Sequence, residues 1–169
     1  YSGKLYFCVE SRTNKDENRV DVESLGILEY DPSSKNTKTV LDKNILDYSI
    51  DTTNNEIYYY VMNEGLYRAD FGGGNAKKLY SCDKTNIYSK ISFDGTYLYV
   101  SNNTSASIGL NYRPYVWILD LEGNELNKLE TRDIYFGDKD YIFSVTPTNG
   151  LGYIKKSEIT TATGWTAMP

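Results

Sequence analysis

The feature that most constrains the fold is a pattern of strand-like segments that recurs three times along the chain. The first segments of the three copies are GKLYFCVE (3–10), NEIYYYVM (55–62) and GTYLYVSN (95–102). The second segments align at Asp31, Asp70 and Asp120. Recurrence of one short unit is typical of repeat architectures, and four short strands per unit are typical of a propeller blade.

The middle copy shows what kind of strand this is. Successive side chains of a strand point to opposite faces, so Ile57, Tyr59 and Val61 line one face while Tyr58 and Tyr60 line the other. Both faces are bulky and apolar, and Asn and Gly flank the run as turn signals. The pattern predicts a short strand that is buried on both faces, with the tyrosine hydroxyls reaching water or backbone at the sheet margin.

The remaining segments complete an all-β prediction of three four-stranded antiparallel repeats plus the start of a fourth. The third strands are TKTVL (37–41), AKKLY (76–80) and LNKLE (126–130), and the fourth are ILDYSID (45–51), IYSKISF (87–93) and YIFSVTP (141–147). The repeats make one β-propeller-type domain over residues 1–169, with blades at about 3–54, 55–94 and 95–149 and an extra strand and tail at 150–169.

The repeat also predicts a buried core from the inward-facing residues of these strands. We expect burial of Leu5, Phe7, Ile57, Tyr59, Leu98, Val116, Ile118, Ile142 and Val145.

Three insertions distinguish the outer copies from the plain middle one. Two lie between first and second strands, SRTNKDENRVDVES (11–24) and NNTSASIGLNYRP (102–114), and one lies between third and fourth strands, TRDIYFGDKD (131–140). Strands that alternate in direction bring these two kinds of connection to the same end of a blade. The sequence therefore predicts that all three insertions gather on one rim.

That rim is the predicted binding site, because binding residues are concentrated on loops held by a rigid scaffold. Tyrosine and phenylalanine offer stacking faces to a sugar or anchors to a protein, and arginine adds directional hydrogen bonds. The candidate binding residues are Tyr112, Arg113, Tyr115, Arg132, Tyr135 and Phe136.

The middle copy resembles a known family. IYYYVMNEGLYRADFGGGNAKKL (57–79) is similar to the YWTD-type propeller repeat of low-density-lipoprotein receptors. With NIYSKISFDGTYLYV (86–100) included, it more closely resembles a related repeat of secreted and surface-attached bacterial proteins of unknown function. Tyr59, Tyr60 and Val61 stand where the receptor motif has Trp, Thr and Asp, so the receptor's ligand-binding role does not carry over. The resemblance implies a propeller fold and an extracellular or cell-surface setting, and it supplies no catalytic residue.

Charge and hydropathy argue against two classes of partner. The chain has 18 Lys and Arg against 23 Asp and Glu, a formal net charge of -5, and no basic run. This balance argues against binding to nucleic acid or to an anionic membrane surface. No apolar run approaches the roughly 18 residues of a membrane-spanning segment, so we expect no membrane insertion.

Several kinds of chemistry find no support in the residues. The chain has no histidine, which excludes Ser-His-Asp and Cys-His machinery and imidazole metal sites within it. FGGGNAKK (71–78) lacks the spacing of a phosphate-binding loop and lies between two strands, which predicts a hairpin turn. We expect no cofactor and no metal. Cys8 and Cys82 lie in different copies, and buried thiols or a disulfide between them both stay open.

Two functions remain. The first is a non-catalytic extracellular binding or assembly module that presents the rim to a protein or a glycan. The second is part of a carbohydrate-active enzyme, because two carboxylates such as Asp133, Asp138 or Asp140 suffice to hydrolyse a glycoside when they face each other across a cleft. Three copies are too few to close a ring, so we expect self-association or completion by further blades.

Overall fold

The computed structural model describes residues 3–16, 19–62, 64–81, 89–102, 115–131, 133–136, 139–145 and 150–168. These residues form an all-β fold of four antiparallel sheets with three or four strands each, which confirms the all-β prediction. The chain divides into two compact units, Tyr1–Asp83 and Lys84–Pro169.

Unit 1 contains two sheets. The first sheet has the order β1-β2-β3, with strands β1 (Leu5–Asp16), β2 (Arg19–Asp31) and β3 (Asn36–Leu41). The second sheet has the order β4-β5-β6-β7, with strands β4 (Ile45–Asp51), β5 (Glu56–Val61), β6 (Gly65–Asp70) and β7 (Lys77–Ser81).

The core of unit 1 lies between these two sheets. Ile27 and Leu41 of the first sheet pack against apolar residues of the second sheet, Ile45, Ile57, Tyr59, Val61 and Ala69. Cys8 lies half-buried against this cluster, whereas Cys82 lies outside the described residues. A hydrogen bond from the Tyr48 hydroxyl to the Tyr6 carbonyl oxygen, 2.7 Å long, joins the two sheets beside the apolar cluster.

The first predicted insertion extends a hairpin instead of forming a loop. Residues 11–16 belong to the long strand β1 and residues 19–24 to the long strand β2, while residues 17–18 lie outside the described part of the chain. The two strands pair antiparallel with register shifts at Val9/Glu10 and Asn14/Asp16. At the base of this hairpin the Ser24 N–H donates to the Asn44 side-chain oxygen at 3.3 Å, and the Met62 N–H donates to the Asn44 carbonyl oxygen at 2.9 Å. The one-to-two and three-to-four connections therefore meet at one end of unit 1, as the strand directions predict.

Unit 2 also contains two sheets. The third sheet has the order β11-β10-β9-β8, with strands β8 (Ser89–Phe93), β9 (Leu98–Asn102), β10 (Tyr115–Leu119) and β11 (Glu125–Glu130). The fourth sheet has the order β12-β13-β14-β15, with strands β12 (Asp133–Phe136), β13 (Tyr141–Val145), β14 (Leu151–Lys155) and β15 (Thr166–Ala167). A 3₁₀ turn, Lys156–Glu158, follows β14.

The core of unit 2 joins its two sheets and includes the segment after β14. Its buried residues are Tyr99, Val116, Ile118, Leu129, Ile142, Ile154 and Ile159. The Asn127 amide donates to the carbonyl oxygens of Ile159 and Ala162 at 2.7 and 2.9 Å, and the Trp165 indole donates to the Glu130 carbonyl oxygen at 2.9 Å. The segment predicted as a tail is therefore an integral part of this unit.

The sheets are displaced by one strand from the predicted repeats. The fourth segment of one repeat pairs with the first segment of the next: β4 pairs with β5, and β8 pairs with β9. A tight turn explains this pairing, because the Asp51 carboxylate accepts the N–H groups of Thr53 and Asn54 at 2.8 and 3.1 Å. Asp94 accepts those of Thr96 and Tyr97 in the same way, at 2.9 and 2.8 Å.

The third predicted repeat differs from the structure in the same way. Residues 133–136, predicted as part of a loop insertion, form the edge strand β12 and pair with β13. The segment YIFSVTP (141–147) was predicted as a fourth strand, but its residues 141–145 form the second strand of the fourth sheet. The fourth sheet thus has four strands within the described residues and is more complete than a mere beginning.

The aligned aspartates occupy equivalent turns, as predicted. Asp31 accepts the Ser33 N–H at 2.9 Å, and Asp120 accepts the Asn124 N–H at 2.8 Å. At Asp70 the turn is closed by a hydrogen bond from the Asp70 N–H to the Gly74 carbonyl oxygen, 2.9 Å long, and Gly73 has a φ of 83°. FGGGNAKK therefore forms the predicted hairpin turn.

The tyrosine triplet is buried on both faces, as predicted for Tyr58, Tyr59 and Tyr60. The Tyr58 hydroxyl donates to the Glu56 carboxylate at 3.3 Å. The Tyr59 ring stacks on Tyr67, with centroids 5.5 Å apart, but its hydroxyl finds no hydrogen-bond partner among the described residues. For Tyr59 the expected contact with backbone is therefore wrong among the described residues, and contact with water stays a prediction.

The predicted core is confirmed except at three positions. Six of the nine residues are buried: Ile57, Tyr59, Leu98, Val116, Ile118 and Ile142. Val145 is only partly buried, and the burial predicted for Leu5 and Phe7 is wrong, because they are 57% and 39% exposed. On β1 the inward side chains are Tyr6 and Cys8, so the alternation of the strand turns Leu5 and Phe7 outward.

Candidate functional site

A polar cavity opens in unit 2 beside the edge strands of its two sheets. Its volume is about 250 Å³, and its lining combines hydroxyls, one ammonium group and apolar side chains: Lys90, Ser92, Tyr99, Ser101, Val116, Ile134 and Tyr135. Val116 is buried in the core of the unit and Ile134 packs against that core, while Tyr135 is 54% exposed. The cavity therefore has an apolar floor and a polar, aromatic mouth.

Strand register brings the polar residues together. Lys90 pairs with Ser101 and Ser92 pairs with Tyr99 across β8 and β9, so these four side chains share one face of the third sheet. Val116 of β10 pairs with Ser101 and continues that face. The polar patch is a consequence of the period-two alternation in two neighbouring strands.

Asp94 anchors the cavity wall from the turn between β8 and β9. Its carboxylate, 2% exposed, accepts the Tyr99 hydroxyl at 2.8 Å, and the Lys156 ammonium lies 3.6 Å away. Burial, and then the neighbouring Asp94 charge, raises the pKa of the Tyr99 hydroxyl above its usual range. Tyr99 therefore stays a neutral donor that holds its ring against the cavity.

A second concave surface adjoins the first through Phe136. The Phe136 ring packs edge-on against Tyr99 with centroids 5.1 Å apart, and the Lys156 ammonium lies 5.8 Å from the Phe136 centroid. Lys156 also lines a more open cleft of about 430 Å³, which we call the lysine cleft. The residues of the lysine cleft are Lys139, Asp140, Tyr141, Lys155, Lys156 and Ser157.

Of the predicted site residues, Tyr135 and Phe136 belong to this surface. They are neighbours on the edge strand β12, so they lie on a strand and not on the predicted rim loop. Phe136 pairs with Ile142 near the start of β13. Asp94 and Lys156 lie at this same end of the unit.

Tyr115 precedes the cavity residue Val116 on β10, but its side chain belongs to a different cluster. It starts β10 and pairs with Glu130, next to Thr131, whose hydroxyl contacts Ser144 near the end of β13. The Lys128 ammonium lies 4.3 Å from the Tyr115 centroid and 4.8 Å from that of Trp117. The structure therefore places Tyr115 in a separate aromatic cluster and does not bring it together with Tyr135 and Phe136.

The other predicted residues are not placed by the structure. Tyr112, Arg113 and Arg132 lie outside the described residues. Asp138 and the side chain of Asp133 also lie outside the described part of the chain, and Asp140 is exposed beside the lysine cleft. The carboxylate pair of the enzyme hypothesis therefore stays a prediction.

Sequence reasoning missed the polar side of the cavity. Lys90 and Ser92 alternate on one strand, and Tyr99 and Ser101 alternate on the next. This spacing predicts a polar patch on one sheet face once the two strands are known to be neighbours. The predicted blade boundary between residues 94 and 95 separates β8 from β9, whereas the structure pairs these two strands in one sheet.

Two further observations concern metals and membranes. The described residues contain no group of three or more His, Cys, Asp or Glu side chains placed to hold a metal ion. Within the described ranges there is no helix whose length and apolar character would allow it to span a bilayer.

Comparison with known proteins gives no family assignment: neither a protein-family model nor a curated protein matches the chain.

Proposed function

We propose that the chain is part of an extracellular β-propeller and acts as a non-catalytic binding module that holds a glycan in the polar cavity of unit 2. The observation that carries the proposal is the composition of that cavity. The Ser92 and Ser101 hydroxyls and the Lys90 ammonium group are donors for sugar hydroxyls, and the exposed ring of Tyr135 is a stacking face at the mouth of the cavity.

The size of the cavity favours a sugar ring over a protein surface. A volume of about 250 Å³ is slightly below the range of roughly 300–1,000 Å³ that is usual for small-molecule pockets. Such a space suits one sugar unit of a longer chain, with the rest of the chain outside. A protein partner would need a larger patch with apolar anchors at its centre.

The propeller part of the proposal is supported by repetition. Three sheets share one order of four strands, and aspartates start equivalent turns in successive sheets, as at Asp31, Asp70 and Asp120. The extracellular setting is supported by the resemblance of residues 57–79 to YWTD-type and related bacterial surface repeats.

The cavity is tested by an oligosaccharide screen followed by titration of the hits. Tyr135→Ala should weaken binding about threefold to tenfold, since stacking on an aromatic ring contributes roughly 0.5–1.5 kcal/mol. Leu151→Ala is the matched control, because Leu151 is a similarly exposed residue of the same sheet outside the cavity. Absence of any bound oligosaccharide, or full affinity in Tyr135→Ala, would remove the support for this site.

We also propose that the chain self-associates when it is isolated. Leu5 and Phe7 project from β1 and are exposed, and Leu151 is exposed on the fourth sheet. Apolar residues on sheet faces are typical of surfaces that another sheet covers. Light scattering coupled to chromatography should give a mass above the 19.3 kDa of one chain; a monomer at all concentrations would contradict self-association.

A further inference from the structure

We propose that the lysine cleft binds an anionic group, a carboxylate or a phosphate, carried by the glycan that occupies the polar cavity. This inference rests on the proposed function and adds to it the chemical class of the ligand. It concerns a different set of side chains from those of the cavity, so the two are separable by experiment.

The charge of the cleft is the first argument. A chain with a net charge of -5 gathers three lysines, Lys139, Lys155 and Lys156, against one carboxylate, that of Asp140, around one concave surface. Lys156 is balanced by Asp94 at 3.6 Å. Among the described residues no carboxylate lies within salt-bridge distance of Lys139 or Lys155, so an anion between these two ammonium groups would gain charge-assisted hydrogen bonds.

The backbone holds the cleft in shape. Tyr141 and Lys155 are paired in the β13–β14 ladder, and the Lys156 N–H donates to the Asp140 carbonyl oxygen at 2.9 Å. This hydrogen bond joins the segment before β13, which carries Lys139, to the end of β14, where Lys155 and Lys156 lie. Because the sheet fixes the backbone of Lys155 and a backbone hydrogen bond fixes that of Lys156, less ordering of these two lysines is required when a ligand binds.

The cleft also offers groups suited to a sugar that carries the anion. Tyr141 packs edge-on against Tyr153, with ring centroids 5.8 Å apart, which fixes the Tyr141 ring at the wall of the cleft. The Ser157 hydroxyl is exposed there and can both donate and accept. An aromatic wall, a hydroxyl and two ammonium groups together match an acidic sugar.

Continuity with the polar cavity favours a glycan over an acidic peptide. Tyr99 lines the cavity, Phe136 packs on Tyr99, and Lys156 lies against Phe136 and lines the cleft. One extended ligand therefore meets hydroxyl donors in the cavity and ammonium groups in the cleft. A chain of sugar units with acidic substituents has both kinds of group.

The test compares oligosaccharides of equal length by calorimetric titration: a neutral one, a uronic-acid one and one with phosphodiester links. A polyglutamate peptide serves as the fourth probe. The intact chain should bind an acidic oligosaccharide more tightly than the neutral one, and this preference should decline as salt is added. The two acidic oligosaccharides distinguish carboxylate from phosphate as the preferred anion.

The decisive variant is Lys139→Gln combined with Lys155→Gln. It should weaken binding of the acidic oligosaccharide about threefold to twentyfold and leave the neutral one unchanged, because each partly exposed charge pair contributes roughly 0.2–1 kcal/mol. The control combines Lys35→Gln with Lys77→Gln, two exposed lysines of unit 1 with the same change in charge. The control variant should lose far less affinity for the acidic oligosaccharide than the cleft variant does.

Each alternative outcome has a definite meaning. Equal affinity for acidic and neutral oligosaccharides, or equal losses in the cleft variant and its control, would overturn the lysine cleft while the polar cavity stands. Tighter binding of polyglutamate than of any acidic oligosaccharide would replace the glycan with an acidic protein segment and overturn this inference. Absence of binding to every oligosaccharide would overturn both the proposed function and this inference.

Discussion

The Tyr99 hydroxyl donates a 2.8 Å hydrogen bond to the Asp94 carboxylate. Tyr99 is 2% exposed and the Asp94 side chain is equally buried, so this bond joins a core residue to the turn that begins the strand. The same tyrosine lines the polar cavity and packs on Phe136. The fold and the candidate site therefore share this contact.

We expect Tyr99→Phe to lower the free energy of unfolding by about 1–3 kcal/mol, since it removes a donor from a buried carboxylate. Chemical denaturation measures the change. Tyr135→Phe is the matched control, because that ring is exposed and its loss of a hydroxyl should cost less than about 0.5 kcal/mol. Equal stability of Tyr99→Phe and the wild type would show that the bond contributes nothing.

We expect the same substitution at Tyr59 to have the opposite sign. The Tyr59 hydroxyl is buried without a hydrogen-bond partner among the described residues, so Tyr59→Phe removes an unsatisfied polar group and keeps the ring that stacks on Tyr67. The variant should be more stable by about 1 kcal/mol in the same denaturation experiment. A clear loss of stability would indicate a partner, such as a bound water.

Ile118→Ala should cost about 2–5 kcal/mol, because Ile118 is fully buried between the two sheets of unit 2 and the substitution leaves a cavity there. Leu126→Ala on the neighbouring strand is the control, since Leu126 is exposed, and it should cost about 1 kcal/mol or less. Similar costs for the two variants would contradict the assignment of the core.

Substitutions at two glycines with the same φ distinguish the cost of backbone strain from the cost of a steric clash. Gly26 and Gly95 both have a φ of 95°, a region unfavourable for residues with a side chain. A Cβ at Gly26 would lie 1.9 Å from the Leu41 carbonyl oxygen, whereas a Cβ at Gly95 would meet nothing within 4 Å.

Gly95→Ala should therefore cost about 1–2 kcal/mol, from backbone strain alone. Gly26→Ala should cost at least about 2 kcal/mol more, because β2 must move away from β3. Thermal unfolding of the two variants gives the comparison, and failure of Gly26→Ala to yield folded protein agrees with the prediction. Equal losses of unfolding free energy in the two variants would show that β2 and β3 separate enough to accept the Cβ at little cost.

Acid should weaken the turns that depend on aspartate. The Ser33 hydroxyl, followed by the Ser33 N–H, lowers the pKa of Asp31 to about 2, and the Asn124 amide lowers the pKa of Asp120. With a folded pKa below the unfolded value of 3.8, the unfolded chain binds more protons in this interval, so stability falls as the pH drops from about 4 to about 2.

Asp31→Asn combined with Asp120→Asn keeps amide acceptors at both turns but removes the titration. The variant should show a shallower loss of unfolding free energy over that pH interval, measured by urea denaturation at a series of pH values. Parallel curves for the variant and the wild type would refute a contribution from these two carboxylates.

The outcome at the candidate site depends on which strands share a sheet. Tyr135 and Phe136 were predicted from their aromatic character. Tyr135 lines the polar cavity, and Phe136 packs against the cavity residue Tyr99. Lys90 and Ser101 were not predicted, because their contact exists only when β8 and β9 are paired. Tyr115 was expected beside Tyr135, but its ring packs with Lys128 and Trp117, whereas Tyr135 borders the polar cavity.

The amino-acid sequence by itself determined the local structure: the short strands, the aspartate turns and the burial of both faces of residues 57–61. These follow from alternation and turn chemistry, which act over a few residues. Only the tertiary structure decided which segment pairs with which, and therefore where Leu5 is exposed and where Lys90 meets Ser101. Pairing depends on turn geometry and on packing between sheets, and such contacts between distant residues leave no periodic signal in the sequence.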